Sequence, residues 1–182
     1  ESQPQDLAAL ALAAGVVARR ALIELTSLPI QIKWPNDLLF DGKKLGGILV
    51  ELVAESHGPC HAVVGIGVNV SATPELTGSP SAWAGGAVDL ATATGDQPPS
   101  RNALAATLID ALASLFQGYA DDGFSGYHAE LADADYLQGR RVDADGFVGT
   151  ALGVAADGTL LVETDAEVRK ILAGDVSVRP ES

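Results

Sequence analysis

The sequence predicts an α/β chain of the α+β kind, a helix-and-sheet unit followed by a small β-barrel. Three observations carry this. Helical periodicity opens the chain and returns after a glycine-rich middle. Between the two lie short apolar strands broken by Asp-Gly and Gly-Pro. From Gly139 onward every apolar run is short and punctuated by turns, as in a small all-β unit.

The first helix is predicted over Gln5 to Leu25. Leu7, Leu10, Ala14, Val17, Ala21 and Leu25 recur at spacings of three and four, Ser2 or Asp6 can cap the start, and Pro29 follows the end. The period then changes: Ile30 and Ile32 alternate with polar neighbours, as in a strand. Trp34 precedes Pro35 and is held extended, and Asn36-Asp37 bends the chain. Leu38 to Phe40 and Lys43 to Leu45 form a hairpin about Asp41-Gly42, a dipeptide suited to a two-residue type I′ turn. The second arm runs on to Val53 and stops at His57-Gly58-Pro59; His61 to Val70 is a further buried strand. Residues 71 to 100 form a long loop with a short helix near Val88 to Thr94. Arg101 to Tyr119 reads as an amphipathic helix with Leu104, Leu108, Ile109, Leu112 and Phe116 on one face, and Phe124 to Ala132 as another helix. The domain boundary is expected at 135/136, giving units 1–135 and 136–182.

Composition narrows the function. The chain has 182 residues, enough for one ordinary domain and a small appended one, and 47% are hydrophobic, enough for a core. A net charge of −13 argues against a nucleic-acid binder, which needs a basic patch; its ordinary meaning is solubility. No run of 18 apolar residues predicts a membrane span, and the amino end lacks the features of a signal peptide. The lone Cys60 excludes an internal disulfide and fits a reducing cytoplasm. His57, His61 and His128 lack metal-ligand spacing, and Gly65 and Gly67 form a GxG without the rest of a dinucleotide fingerprint. With no methionine anywhere, the chain is expected to be a fragment or a trimmed product.

The hairpin is the candidate site. A two-residue turn sets Phe40 opposite Lys43, Leu39 opposite Lys44, Leu38 opposite Leu45 and Asp37 opposite Gly46. Asp37, Leu39, Lys44 and Gly46 then share one face, and Lys43 points away as a solvated charge. A lysine and a carboxylate flanking a strip without side chains suit phosphate chemistry: the ammonium neutralises developing charge, and the carboxylate can hold Mg2+. A plain surface ion pair beside a structural glycine is the competing reading. Trp34 and Trp83 read as core or loop anchors, with stacking on an adenine as the other role for Trp83. Asn69 alone reads as a turn former at a strand end.

Lys33-Trp34-Pro35-Asn36-Asp37, then Lys44-Leu45-Gly46-Gly47-Ile48-Leu49-Val50-Glu51, resembles the signature of biotin–protein ligases. Val64 to Val70 resembles that family's glycine-containing strand ending in asparagine, and the end region its SH3-like barrel. The resemblance covers most of the chain and implies a mixed sheet of the biotin/lipoate ligase type. It implies ATP-dependent, magnesium-assisted activation of biotin to biotinyl-5'-AMP and transfer to a lysine of a biotin carboxyl carrier domain, in the cytoplasm, with a homodimer compatible. Lys44 would be the catalytic lysine. Gly46, Gly47 and Ile48 would line the ligand, Asn36 and Asp37 would lie near the phosphates with Asp37 toward the metal, and Asn69 would lie on the nucleotide side. Asp175 and Arg179 would be the end-domain residues linked to active site and carrier. Two departures stand out. The family's glycine- and arginine-rich biotin loop is absent from these residues, so the chain alone is expected to be inactive, and Asp143 stands where a basic residue is expected. The competing readings are a lipoate ligase and a degenerate, non-catalytic binding module.

Overall fold

A computed structural model describes residues 4–54, 60–71, 86–144, 146–172 and 178–180. Helix α1 (Pro4–Thr26) lies against a sheet of β1 (Gln31–Lys33), β2 (Asp37–Phe40), β3 (Lys43–Ala54) and β4 (Cys60–Val68), in the order β1-β2-β3-β4. Helices α2 (Leu90–Ala93), α3 (Arg101–Asp122) and α4 (Ser125–Ala134) follow. A second sheet holds β5 (Arg141–Ala144), β6 (Phe147–Val154), β7 (Leu160–Glu163), β8 (Val168–Ile171) and β9 (Val178–Pro180), ordered β8-β7-β6-β5-β9.

Two features differ from expectation. The first sheet is antiparallel throughout its ladders, and among the described residues parallel pairing occurs as single bridges, Ile32 with Asp135 and Lys44 with Ala87. The second sheet is open among the described residues, with β8 and β9 at its edges, rather than a closed barrel. Hairpin connections favour the antiparallel result, because antiparallel strands need only short turns.

Helix α1 is buried on more than the predicted stripe. Leu12, Ala13, Val16, Ala18 and Leu22 are buried along with Leu10, Ala14, Val17 and Ala21. The cause is its position: it packs on β3, α3 and α4 at once. Small residues let it sit close, and a Cβ on Gly15 would meet Ile48 Cδ1 at 3.7 Å and Ile32 Cδ1 at 3.8 Å.

Ser100 caps α3 by accepting from the Ala103 amide at 3.2 Å. Leu104, Leu108 and Leu112 of the predicted stripe pack on the core, joined by Leu115, while Ile109 (64% exposed) and Phe116 (46%) face outward, contrary to prediction. In a helix this rich in Ala and Leu several faces satisfy the same periodicity, and packing on α1 selects one. Helix α3 is long and apolar enough to cross a membrane by length and composition, yet its Leu104 and Leu115 are packed into the core.

Asp135, between α4 and β5, carries the one buried side-chain oxygen without a hydrogen-bond partner among the described residues, Oδ2. Its Oδ1 accepts from the Leu137 amide at 2.8 Å. Burial raises its pKa above the ordinary 3.8, partly opposed by the Leu137 and Gln138 amides. The folded state therefore holds this proton more tightly than the unfolded state. The resulting stabilisation is complete below the ordinary carboxyl value and lost as pH rises through the raised one. Urea denaturation of wild type and Asp135→Asn across that window should show the wild type losing ground to the variant as pH rises. Parallel curves would exclude an ionising, buried Asp135.

Candidate active site

The candidate site grows from the two turns of the β1-β2-β3 meander. Lys33 pairs with Asp37, so Trp34, Pro35 and Asn36 form the first turn. Asp41 (φ 51°) and Gly42 (φ 70°) form the second, both in the left-handed region that a type I′ turn requires.

Beyond that turn the register departs from the prediction. Phe40 pairs with Lys43 and Leu39 with Lys44, as expected, but Leu38 pairs with Gly46 and Asp37 with Gly47, with a bulge between Leu38 and Leu39. Asn36 sustains the shift. Its Nδ2 donates to the Ile48 carbonyl at 2.7 Å, and its own carbonyl accepts from the Ile48 amide at 2.8 Å.

The bulge changes which glycine faces the site. A Cβ on Gly47 would meet Asp37 Oδ1 at 3.5 Å and Lys44 Cε at 3.6 Å, whereas one on Gly46 would lie 2.3 Å from the Gly67 carbonyl oxygen. Gly47, not Gly46, therefore adjoins the charged pair, and Gly46 permits the close approach of β3 and β4. Ile48 is also corrected: it is 2% exposed, and its side chain is turned to α1.

Lys44 Nζ and Asp37 Oδ1 form an ion pair at 2.5 Å. Lys44 is 38% exposed and Asp37 14%, so the ammonium is reachable while the carboxylate is sheltered. Lys43 is exposed. The main chain at Lys44 is fixed by two hydrogen bonds: its amide donates to the Gly86 carbonyl (3.0 Å), and its carbonyl accepts from the Val88 amide (2.9 Å). Asn69 ties these segments together: Nδ2 donates to the carbonyls of Lys44 (3.3 Å) and Val88 (3.1 Å). Its amide donors are thus engaged in holding backbone, not presented outward.

Sequence reasoning missed the rest of this surface. Gly47 pairs with Gly67 and Leu49 with Gly65, so three glycines, with the exposed Leu49 among them, continue from the Lys44–Asp37 pair along an exposed sheet face. The signal was the i, i+2 spacing of Gly65 and Gly67, which in a strand puts both on one face. Cavities of about 340 and 530 Å³ lie elsewhere, lined by residues of α1, α3, β1 and the hairpin tip, and touch neither Lys44 nor Asp37. Asp175 and Trp83 lie outside the described residues; Arg179 sits on β9, in register with Asp143.

Fold and motif place the chain in the class of biotin/lipoate protein ligase domains. Residues 1–69 match the biotin/lipoate A/B protein ligase family and residues 139–179 the biotin protein ligase C terminal domain. The chain thus carries sequence of both the catalytic and the C terminal domain types of biotin protein ligases. It is 30% identical over 190 residues to the bifunctional ligase/repressor BirA of Escherichia coli, covering 98% of this chain and 56% of that protein. It is 32% identical over 181 residues to a biotin–[acetyl-CoA-carboxylase] ligase of Mycobacterium tuberculosis, covering 92% of this chain and 61% of that one. The Aquifex aeolicus biotin protein ligase, solved in complex with biotin and ATP, superposes with a TM-score of 0.80 at 26% identity, over 96% of this chain and 72% of that one. The chain thus spans about half the length of the curated relatives it matches.

The two adjacent glycines should respond differently to the same change. Gly46→Ala should lower stability by about 1–3 kcal/mol, because its Cβ overlaps a backbone carbonyl that cannot rotate away. Gly47→Ala meets only ordinary van der Waals contacts and should change stability by under about 0.5 kcal/mol. Denaturation midpoints of the two variants check this, and equal midpoints would refute the register.

Proposed function

We propose that this chain supplies the phosphate-handling half of a biotin–protein ligase: activation of biotin to biotinyl-5'-AMP with ATP and Mg2+, then transfer to a lysine of a biotin carboxyl carrier domain, in the cytoplasm. The observation that carries the reading is the Lys44–Asp37 pair at one end of a glycine-floored sheet face. The biotin protein ligase C terminal domain match over 139–179 favours biotin over lipoate and supports a boundary at 135/136.

In this reading the biotin carboxylate attacks the α-phosphorus of ATP and pyrophosphate leaves. Lys44 is the catalytic residue; its ammonium neutralises charge that builds on the phosphate oxygens in the transition state. Gly47 leaves room for the ligand against the sheet, with Gly65 and Gly67 extending that floor. Gly46 and Ile48 act through the backbone that shapes it. Asn36 holds the strand carrying Asp37, and Asn69 holds the backbone of Lys44.

No cluster of three metal-ligating side chains occurs among the described residues. Mg2+ binds one or two carboxylates and takes its other ligands from phosphates and water; Asp37 is the residue that would hold it. Bound there, the ion would withdraw charge from the phosphate oxygens. Asp175 and Arg179 remain the proposed end-domain contributors to active site and carrier.

Lys44→Ala in the full-length protein should lower biotin-dependent ATP–pyrophosphate exchange by a factor of about 100 or more, as loss of a transition-state charge partner does elsewhere. Its thermal midpoint should stay near wild type, because a partly exposed side chain leaves no core cavity. Lys43→Ala should be nearly silent in the same assay. A crippled Lys43→Ala beside an active Lys44→Ala would overturn the assignment.

A further inference from the structure

A buried hydrogen bond ties the β6–β7 turn of the second sheet to the β1–β2 turn of the first. Trp34, 1% exposed, donates from its indole Nε1 to the Gly158 carbonyl at 2.9 Å, across 124 residues of sequence. Gly158 lies in the turn between β6 and β7 at φ +82°, and it is pressed onto α1 so closely that a Cβ would sit 2.9 Å from the Ala9 amide nitrogen.

This turn is shaped from its own side. The Gly158 amide donates to the Ala155 carbonyl at 2.9 Å, and the Ala155 amide to the Thr159 carbonyl at 2.8 Å. Asp157 Oδ1 accepts from the Thr159 amide (3.1 Å) and hydroxyl (2.6 Å), while Oδ2 accepts from Lys170 Nζ at 2.8 Å. The carbonyl offered to Trp34 is therefore fixed by contacts that belong to the second sheet.

On the other side, Trp34 opens the turn that ends in Asn36, the residue clamped to Ile48, and Asp37 follows directly. The chain from the indole anchor to the carboxylate is short and held at both ends. Any shift of Trp34 must be taken up between it and Asp37.

We propose that the 155–159 turn is a positioning element for the candidate active site, acting through the Trp34–Gly158 hydrogen bond to set the place of Asp37. This rests on the ligase reading. Trp34 and Asp157 are positioning residues: neither needs to touch substrate. The element's effect should fall on the nucleotide, because Asp37 belongs to the phosphate end of the site.

The test compares three variants of the full-length protein. Trp34→Phe keeps the ring and removes the donor. Asp157→Ala loosens the turn from the surface, so it keeps the inference testable if Trp34→Phe folds poorly. Val162→Ala is the control: it creates a cavity in the second sheet's core, where Val162 is fully buried, without touching the turn.

In biotin-dependent ATP–pyrophosphate exchange, Trp34→Phe should raise KM for Mg-ATP about 5–10-fold and Asp157→Ala about 3-fold, with KM for biotin unchanged, the pattern of lost positioning at one substrate. Val162→Ala should lower the thermal midpoint and leave both KM values alone. Hydrogen exchange gives a readout free of activity: the Ile48 amide, bonded to the Asn36 carbonyl, should lose protection in Trp34→Phe and Asp157→Ala but not in Val162→Ala. The inference is overturned if Val162→Ala matches the other two, or if Trp34→Phe moves neither KM nor Ile48 protection. Should the wild type show no biotin-dependent exchange, the ligase reading fails, and the Ile48 comparison still decides the coupling.

Discussion

The site depends on the double hydrogen bond between Asn36 and Ile48. A regular hairpin from the Asp41-Gly42 turn would put Gly46 opposite Asp37. Asn36 instead binds both backbone groups of Ile48, and β3 gains one residue against β2. That extra residue brings Gly47 beside Lys44 and Asp37 and turns Ile48 inward to α1. A slip of one residue exchanges the two faces of a strand, so this clamp decides which side chains meet solvent and which meet the core.

Much of this was legible in the residues. Both long helices, the first three strands and the turn-rich end followed from periodicity and turn chemistry, because those signals are local. The pairing of Lys44 with Asp37 was legible for the same reason, since only a two-residue turn separates their strands. The bulge was not, because it depends on a side chain that precedes β2 and reaches across to β3. The exposed face of α3 was hidden by an excess of apolar positions. Trp34 was legible as a core anchor, but its partner was hidden by distance: it is a backbone carbonyl 124 residues away, in a turn that reads as an ordinary Asp-Gly.

Stability and site pull against each other in β3 and β4. A glycine inside a strand is less favourable than alanine by roughly 0.5–1 kcal/mol, and Gly46, Gly47, Gly65 and Gly67 all lie in these two paired strands. Packing explains Gly46, whose Cβ has no room. It does not explain Gly65 or Gly67, where a Cβ would meet nothing nearer than 3.9 Å. Stability would be better served by side chains at both, and their absence leaves open space on the sheet face between the Lys44–Asp37 pair and the exposed Leu49. The offset lies on the other face, where α1 buries Ile32, Ile48 and its own small residues.

The charge balance bears on how such a face would hold a nucleotide. A chain with net charge −13 offers a polyanion no long-range attraction. At physiological ionic strength, screening sets in over roughly 8 Å, so the bulk of that charge counts for little at the site and nearby groups dominate. Lys44 is a cation held beside a carboxylate, and the pair is close to neutral as it stands. In the ligase reading, a magnesium ion shared between Asp37 and the phosphates would engage the carboxylate and leave the ammonium to the phosphate oxygens. The same two side chains would then pass from mutual neutralisation to binding a nucleotide without a change of fold. What the fold must supply is their fixed spacing, and the Asn36 clamp and the main-chain bonds at Lys44 supply it from two sides.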